Sequence, residues 1–238
     1  MSVKTLEIDG QMMTGAEDDT IFNVAWEHGI HIPRLCHVGG LSDVGACRLC
    51  LVEVEGQKNL QASCLTTVEE GMIVRTSTPR LESHRKLIVE LLLSERNHMC
   101  SVCVANGSCE LQAMAVKLGI DHVRLRYQFP QFEADTSHER FGLDHHRCIL
   151  CTRCVRVCDE IEGAHTWDVS GRGIHSRIIS DLGEPWGASD TCTGCGKCVQ
   201  VCPTGALFEK GKAVAEMRKD RSFLKYIVGA RENKQWIG

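Results

Sequence analysis

Three observations predict an α+β fold built in several small parts. Period-two apolar alternation marks short strands in "VKTLEID" (Val3–Asp9), "CLVEVEG" (Cys50–Gly56) and "MIVRTS" (Met72–Ser77). Helical stretches with recognisable start and stop signals stand among them. The third observation is chemical: 15 cysteines in a 238-residue chain fall into four tight groups, and no thiol is left over.

The first helix is "TIFNVAWEHG" (Thr20–Gly29), with Asp19 or Thr20 as N-cap and a closing glycine. The loop "CHVGGLSDVGACRLC" follows it. That loop carries Cys36, Cys47 and Cys50, and Cys64 completes a C-x10-C-x2-C-x13-C set. Its small residues let backbone N–H groups approach the sulfurs. Strand, helix, cysteine loop and further strands read as a β-grasp ferredoxin domain with a [2Fe-2S] cluster. The first gap is longer than the plant-type C-x4-C-x2-C…C spacing, and a zinc knuckle is the alternative.

The next helix, "TPRLESHRKLIVELLLSE", has Thr78 as N-cap and Pro79 at its first position. Its stripe of Leu81, Leu87, Ile88, Leu91 and Leu92 reads as core packing. The loop "NHMCSVCVANGSCELQ" (Asn97–Gln112) then supplies Cys100, Cys103 and Cys109, and a helix in "CELQAMAVKLG" closes at Gly119. Three thiolates leave a four-ligand site one short. His98, two residues before Cys100, is the expected fourth ligand; Glu95, Asn97, Glu110 and water compete with it.

Two runs follow, "CILCTRCVRVC" and "CTGCGKCVQVCP", both C-x2-C-x2-C-x3-C. In such ferredoxin runs the fourth cysteine ligates the other run's cluster. The expectation is one [4Fe-4S] cluster on Cys148, Cys151, Cys154 and Cys202, and another on Cys192, Cys195, Cys198 and Cys158. Zinc sites pair distant CxxC knuckles rather than carry CxxCxxC, which disfavours a structural zinc scaffold, the reading from a different functional class. The stretch between the runs, with strand-like "RIISDL" (Arg177–Leu182), reads as a surface excursion or docking element. The segment "VAEMRKDRSFLKYIVGARENKQW" reads as a helix packing on this chain or on a partner, and Trp236 favours the partner.

Composition excludes other classes. With 27 basic and 31 acidic residues the net charge is −4, which argues against nucleic acid or an anionic membrane. No signal peptide or membrane span is legible, so a cytoplasmic protein is expected, and any membrane association would come through a complex. No GxGxxG dinucleotide loop appears. "TGCGK" (Thr193–Lys197) fails the P-loop spacing because Thr191 holds the first glycine position, and its glycines read as close backbone approach to a cluster. No catalytic residue is expected. Arg48, Arg96, Arg147, Arg153, Arg156 and Lys197 lie near ligands and would offset thiolate charge, or simply face solvent.

This order of parts resembles the N-terminal region of the complex I large iron–sulfur subunit and of [FeFe] hydrogenases. Its short form is similar to the diaphorase iron–sulfur subunit (HoxU type) of the NAD(P)-linked bidirectional [NiFe] hydrogenase. "NHMCSVCVANGSCELQ" and "HRCILCTRCVRVCDEIEGAH" carry the resemblance over essentially the whole chain. Complex I subunits usually place the ligand histidine four residues before the first cysteine; here Arg96 stands there, and His98 has the offset seen in hydrogenase diaphorase and soluble formate dehydrogenase subunits. The chain ends at Gly238, where a catalytic H-cluster domain would begin in an [FeFe] hydrogenase.

The resemblance implies a non-catalytic electron wire with one [2Fe-2S] and three [4Fe-4S] clusters. Its partners would be a flavin- and NAD(P)-binding diaphorase subunit and the small and large [NiFe] hydrogenase subunits. The equivalent module of an NAD-linked formate dehydrogenase or a complex I-like enzyme is the alternative. The expected parts are 1–78 for the [2Fe-2S] domain, 79–120 for the His/Cys3 region, 121–212 for the two-cluster domain and 213–238 for a helical tail.

Overall fold

The computed structural model describes residues 2–232, with side chains as far as Ala230. The chain divides into two compact units: the residues up to His37 with Asp43–Val89, and Val38–Ser42 with the chain from Glu90 onward. No helix among the described residues is long and apolar enough to cross a membrane.

The first unit opens with a hairpin of β1 (Val3–Ile8) and β2 (Gln11–Ala16). Asp9 and Gly10 turn it at φ 50° and 83°, the positive pair that a two-residue type I′ turn needs. Helix α1 (Ile21–Glu27) starts at Thr20, whose Oγ1 accepts the Asn23 N–H at 3.2 Å. Strands β3 (Leu51–Val54), β4 (Gln61–Ala62) and β5 (Ile73–Arg75) complete a five-stranded sheet among the described residues, ordered β2-β1-β5-β3-β4. The β1–β5 pair is parallel and the others antiparallel.

Alternation along β1 turns Leu6 and Ile8 inward, where they join Val52, Val54 and Val74 against Ile21, Phe22, Val24 and Ala25 of α1. Gly15 permits this contact, because a Cβ there would lie 2.4 Å from Val24 Cγ2. Gly15→Ala is therefore expected to lift α1 from the sheet and lower stability by about 1–3 kcal/mol. A lower urea midpoint for loss of helical circular dichroism would show it; an unchanged midpoint would mean that the contact relaxes freely.

Helix α2 (Pro79–Glu95) begins as the sequence indicates, with the Leu81 N–H bonded to Thr78 Oγ1 at 3.2 Å. Its expected apolar stripe is not its buried face. Leu81 is buried, but Leu87 and Leu91 are 41% and 50% exposed, and the buried positions are Leu81, Arg85, Val89, Glu90 and Ser94. The cause is a backbone demand that hydropathy cannot register. Arg85 donates through Nε to the Leu49 carbonyl (3.2 Å) and through Nη2 to the Leu51 carbonyl (2.9 Å), holding both sides of Cys50.

The second unit contains, in chain order, α3 (Glu110–Lys117), β6 (Phe141–Leu143), α4 (Arg153–Val157), β7 (Trp167–Ser170), β8 (Arg177–Ser180), α5 (Lys197–Val201), β9 (Leu207–Glu209) and α6 (Ser222–Glu232). Gly119 ends α3 at φ 64°, with N–H groups of Gly119 and Ile120 returning to Val116 and Ala115. Strands β6 and β9 pair antiparallel, as do β7 and β8.

The two cysteine runs fold alike. Each wraps a loop and then enters a short helix, α4 or α5, with its second and third intervening positions in the left-handed region: Leu150 and Thr152 (φ 52° and 56°), Gly194 and Gly196 (φ 67° and 74°). Gly194 has nothing within 4 Å of an added Cβ. The left-handed backbone at Gly194 is one that glycine adopts without strain.

One sequence expectation changes here: the stretch between the runs is not a surface excursion, because Trp167, Ile178 and Trp186 are all buried in the core of this unit. The C-terminal helix takes one of its two expected placements, packing on this chain through Leu224, buried in the same core as Met217, which precedes the helix. Trp236 lies outside the described residues.

Candidate metal centres

Four groups of thiols gather in the fold. In the first unit, Cys50 and Cys64 Sγ lie 3.4 Å apart, Cys36 bonds to Cys47, and Cys36 acts electrostatically on both Cys50 and Cys64. In each bonded pair one thiol is held above and the other below the ordinary thiol range, because one sulfur's proton stabilises its neighbour's thiolate. The Leu35 N–H points at Cys47 Sγ at 3.4 Å.

The middle group lines a small cavity with His98, Cys100, Cys103 and Cys109 on its wall. His98 Nε2 is buried there without a hydrogen-bond partner among the described residues. Burial pushes the imidazole down to about 4, against an opposing backbone hydrogen bond at Leu92, so the ring is neutral and able to donate a lone pair. Gly205 closes the opposite wall; an added Cβ would stand 2.5 Å from Cys103 Sγ.

Glu110, a competitor for the fourth position, is engaged elsewhere: Arg153 binds both its oxygens at 2.8 and 2.9 Å, and Arg221 also contacts it. The rest of the "ELQ" element is structural. Leu111 is buried, and Gln112 accepts the Gly107 N–H and donates to Asn106 Oδ1, both at 2.8 Å, tying the cysteine loop together.

Cys148, Cys151, Cys154 and Cys202 line one small cavity, so the fourth cysteine of the second run stands with three from the first. Burial pushes Cys148 up to about 12 and Cys151 to about 11. Thiols so buried stay protonated until a cation replaces the proton. The reciprocal group is Cys192, Cys195, Cys198 and Cys158, and Cys198 senses the charge of the other three. Cys195 is exposed. Trp186 Nε1 donates to Cys192 Sγ at 3.2 Å.

These sets suit iron–sulfur clusters: soft thiolate donors in threes and fours, one orphaned imidazole nitrogen, backbone and indole N–H groups aimed at sulfur, and a glycine wall that a side chain would fill. When bound, such clusters supply one-electron redox chemistry. Among the basic residues, Arg96, Arg153 and Arg156 are buried while Arg48 faces solvent. Arg96 donates to the Ser176 carbonyl, and its guanidinium lies 4.6 Å from the Phe132 ring centroid, which makes it a buried cation rather than a ligand. Sequence reasoning passed over Arg85, Gly205 and the two buried tryptophans. For Trp186 the one available signal was its place six residues before Cys192.

Comparison with known proteins agrees with this chemistry. Residues 3–79 match the family described as a 2Fe-2S iron-sulfur cluster binding domain. Residues 85–124 match the NADH-ubiquinone oxidoreductase-G iron-sulfur binding region, 140–208 the ferredoxin-like domain of NADH-quinone oxidoreductase subunit 3, and 184–233 a 4Fe-4S dicluster domain. The chain thus holds a 2Fe-2S domain and 4Fe-4S domains in a mixed α and β fold.

Subunit gamma of the NAD-reducing hydrogenase HoxS from Cupriavidus necator is 35% identical, over 88% of each chain. The NADP-reducing hydrogenase subunit HndD of Solidesulfovibrio fructosivorans is 37% identical over 88% of this chain, which spans 36% of that longer relative. A chain in the crystal structure of an NAD+-reducing [NiFe]-hydrogenase in the H2-reduced state superposes with a TM-score of 0.84 at 32% identity, covering 89% of both chains.

Proposed function

We propose, because this chain belongs to the family of iron–sulfur electron-transfer subunits of NAD-reducing hydrogenase, that it carries electrons singly between a flavin- and NAD(P)-binding subunit and a [NiFe] hydrogenase module. The observation that carries the reading is the gathering of all 15 cysteines into four sets, with the His98 nitrogen beside the one incomplete set. NAD(H) and dihydrogen exchange electron pairs, whereas clusters accept one electron at a time, so a chain of clusters suits a connector between two-electron sites.

In this reading the β-grasp part holds one [2Fe-2S] cluster on Cys36, Cys47, Cys50 and Cys64. Three [4Fe-4S] clusters follow, on His98 with Cys100, Cys103 and Cys109, on Cys148, Cys151, Cys154 and Cys202, and on Cys192, Cys195, Cys198 and Cys158. Its place of work is the cytoplasm. The driving potentials of the partner sites set the direction, so dihydrogen could be oxidised or evolved.

Anaerobically purified protein is expected to contain about 14 iron and 14 sulfide per chain. Zinc in their place, persisting after anaerobic reconstitution, would overturn the proposal. The family models named for NADH-quinone oxidoreductase favour a second reading, the same module in a complex I-like or formate dehydrogenase assembly. The subunits that co-purify with the chain distinguish the two.

A further inference from the structure

The stretch between the two cysteine runs has no ligand of its own, yet it places an indole donor on one thiol set. Trp186 Nε1 donates to Cys192 Sγ at 3.2 Å. An indole N–H can only donate, so the bond runs toward sulfur.

That indole is not free to turn away. Trp186 is 1% exposed and Trp167, beside it, 4%. Their rings meet edge to face at 4.7 Å, and Phe141 stacks on Trp186 at 5.6 Å. The backbone beneath Trp186 is pinned: its N–H bonds to Asp135 Oδ2 and the next, Gly187, to Ser137 Oγ, both at 2.7 Å. A Cβ on Gly187 would stand 2.4 Å from the Ser137 carbonyl oxygen, so the turn seats closely against that segment. The equivalent cysteine of the other run, Cys148, receives a backbone N–H from Leu150 at 3.4 Å.

We infer that Trp186 is a tuning residue, whose N–H donor raises the reduction potential of the cluster on Cys192, Cys195, Cys198 and Cys158. A donor aimed at a ligand sulfur stabilises the extra negative charge of the reduced state more than the oxidised state. The inference rests on that cluster being present, which the iron and sulfide count tests separately.

The test is an EPR-monitored potentiometric titration of the full chain bearing Trp186→Phe. The change keeps an aromatic ring and deletes the N–H. It is expected to reduce the reduced-to-oxidised ratio of this one cluster about tenfold at fixed potential, or about 59 mV for one electron, leaving the other clusters unmoved. An unchanged potential with full iron content would overturn the inference and leave the indole as packing alone. If phenylalanine prevents cluster loading, tryptophan is replaced biosynthetically by benzothienylalanine, which retains the bicyclic ring without the N–H. The same single-cluster shift is then expected, and its absence again overturns the inference.

Discussion

His98→Ala is expected to lower the iron content from about 14 to about 10 per chain and to remove one four-iron signal from the EPR spectrum of the reduced protein. The expectation comes from an unpartnered ring nitrogen on a residue that shares a cavity with three thiols. His98 Nε2 is buried and unpartnered among the described residues, on the wall of a cavity that also bears Cys100, Cys103 and Cys109. A buried ring nitrogen without a partner is costly in a structural histidine but natural in a ligand. The alternatives have become weaker, since Glu110 is held by Arg153 and Arg221. His98→Cys should restore the iron at a lower potential, because a thiolate adds negative charge where the imidazole is neutral. Full iron with an unaltered middle signal in His98→Ala would send the search to Glu95, Asn97 or water.

Cys202→Ser is expected to remove the cluster of the other run. Its thiol shares a cavity with Cys148, Cys151 and Cys154, while its own run's partner is Cys158, whose charge Cys198 senses. Iron should again fall to about 10 per chain. The surviving signal should still respond to Trp186→Phe, since Trp186 bonds to Cys192. If Cys202→Ser instead abolishes the signal that Trp186→Phe shifts, the runs do not exchange their fourth ligands. Cys158→Ser provides the mirror experiment.

Much of the fold was legible because its signals are local. Strand alternation at Val3–Ile8, the Thr20 and Thr78 caps and the Gly119 stop each depend on neighbours a few residues away. The misreadings share the opposite property. Leu87 and Leu91 looked like core because hydropathy is periodic there, yet Arg85 takes an inward position to satisfy carbonyls 34 and 36 residues earlier. The stretch between the runs looked like a surface loop because its local pattern does not show that Trp167, Ile178 and Trp186 enter the core of the second unit.

The sequence by itself determined the chemistry of this protein, since the spacing of its 15 cysteines sorts them into sets suited to metal and one short set that calls for His98. Only the tertiary structure decided what surrounds those sulfurs: the indole of Trp186, the bare wall at Gly205, and the Arg153–Glu110 pair beside the thiols. Ligand number follows from residue type and can be counted along a chain. A hydrogen bond to sulfur, or a charge beside it, depends on short distances and directions between residues far apart in sequence, and folding alone sets those.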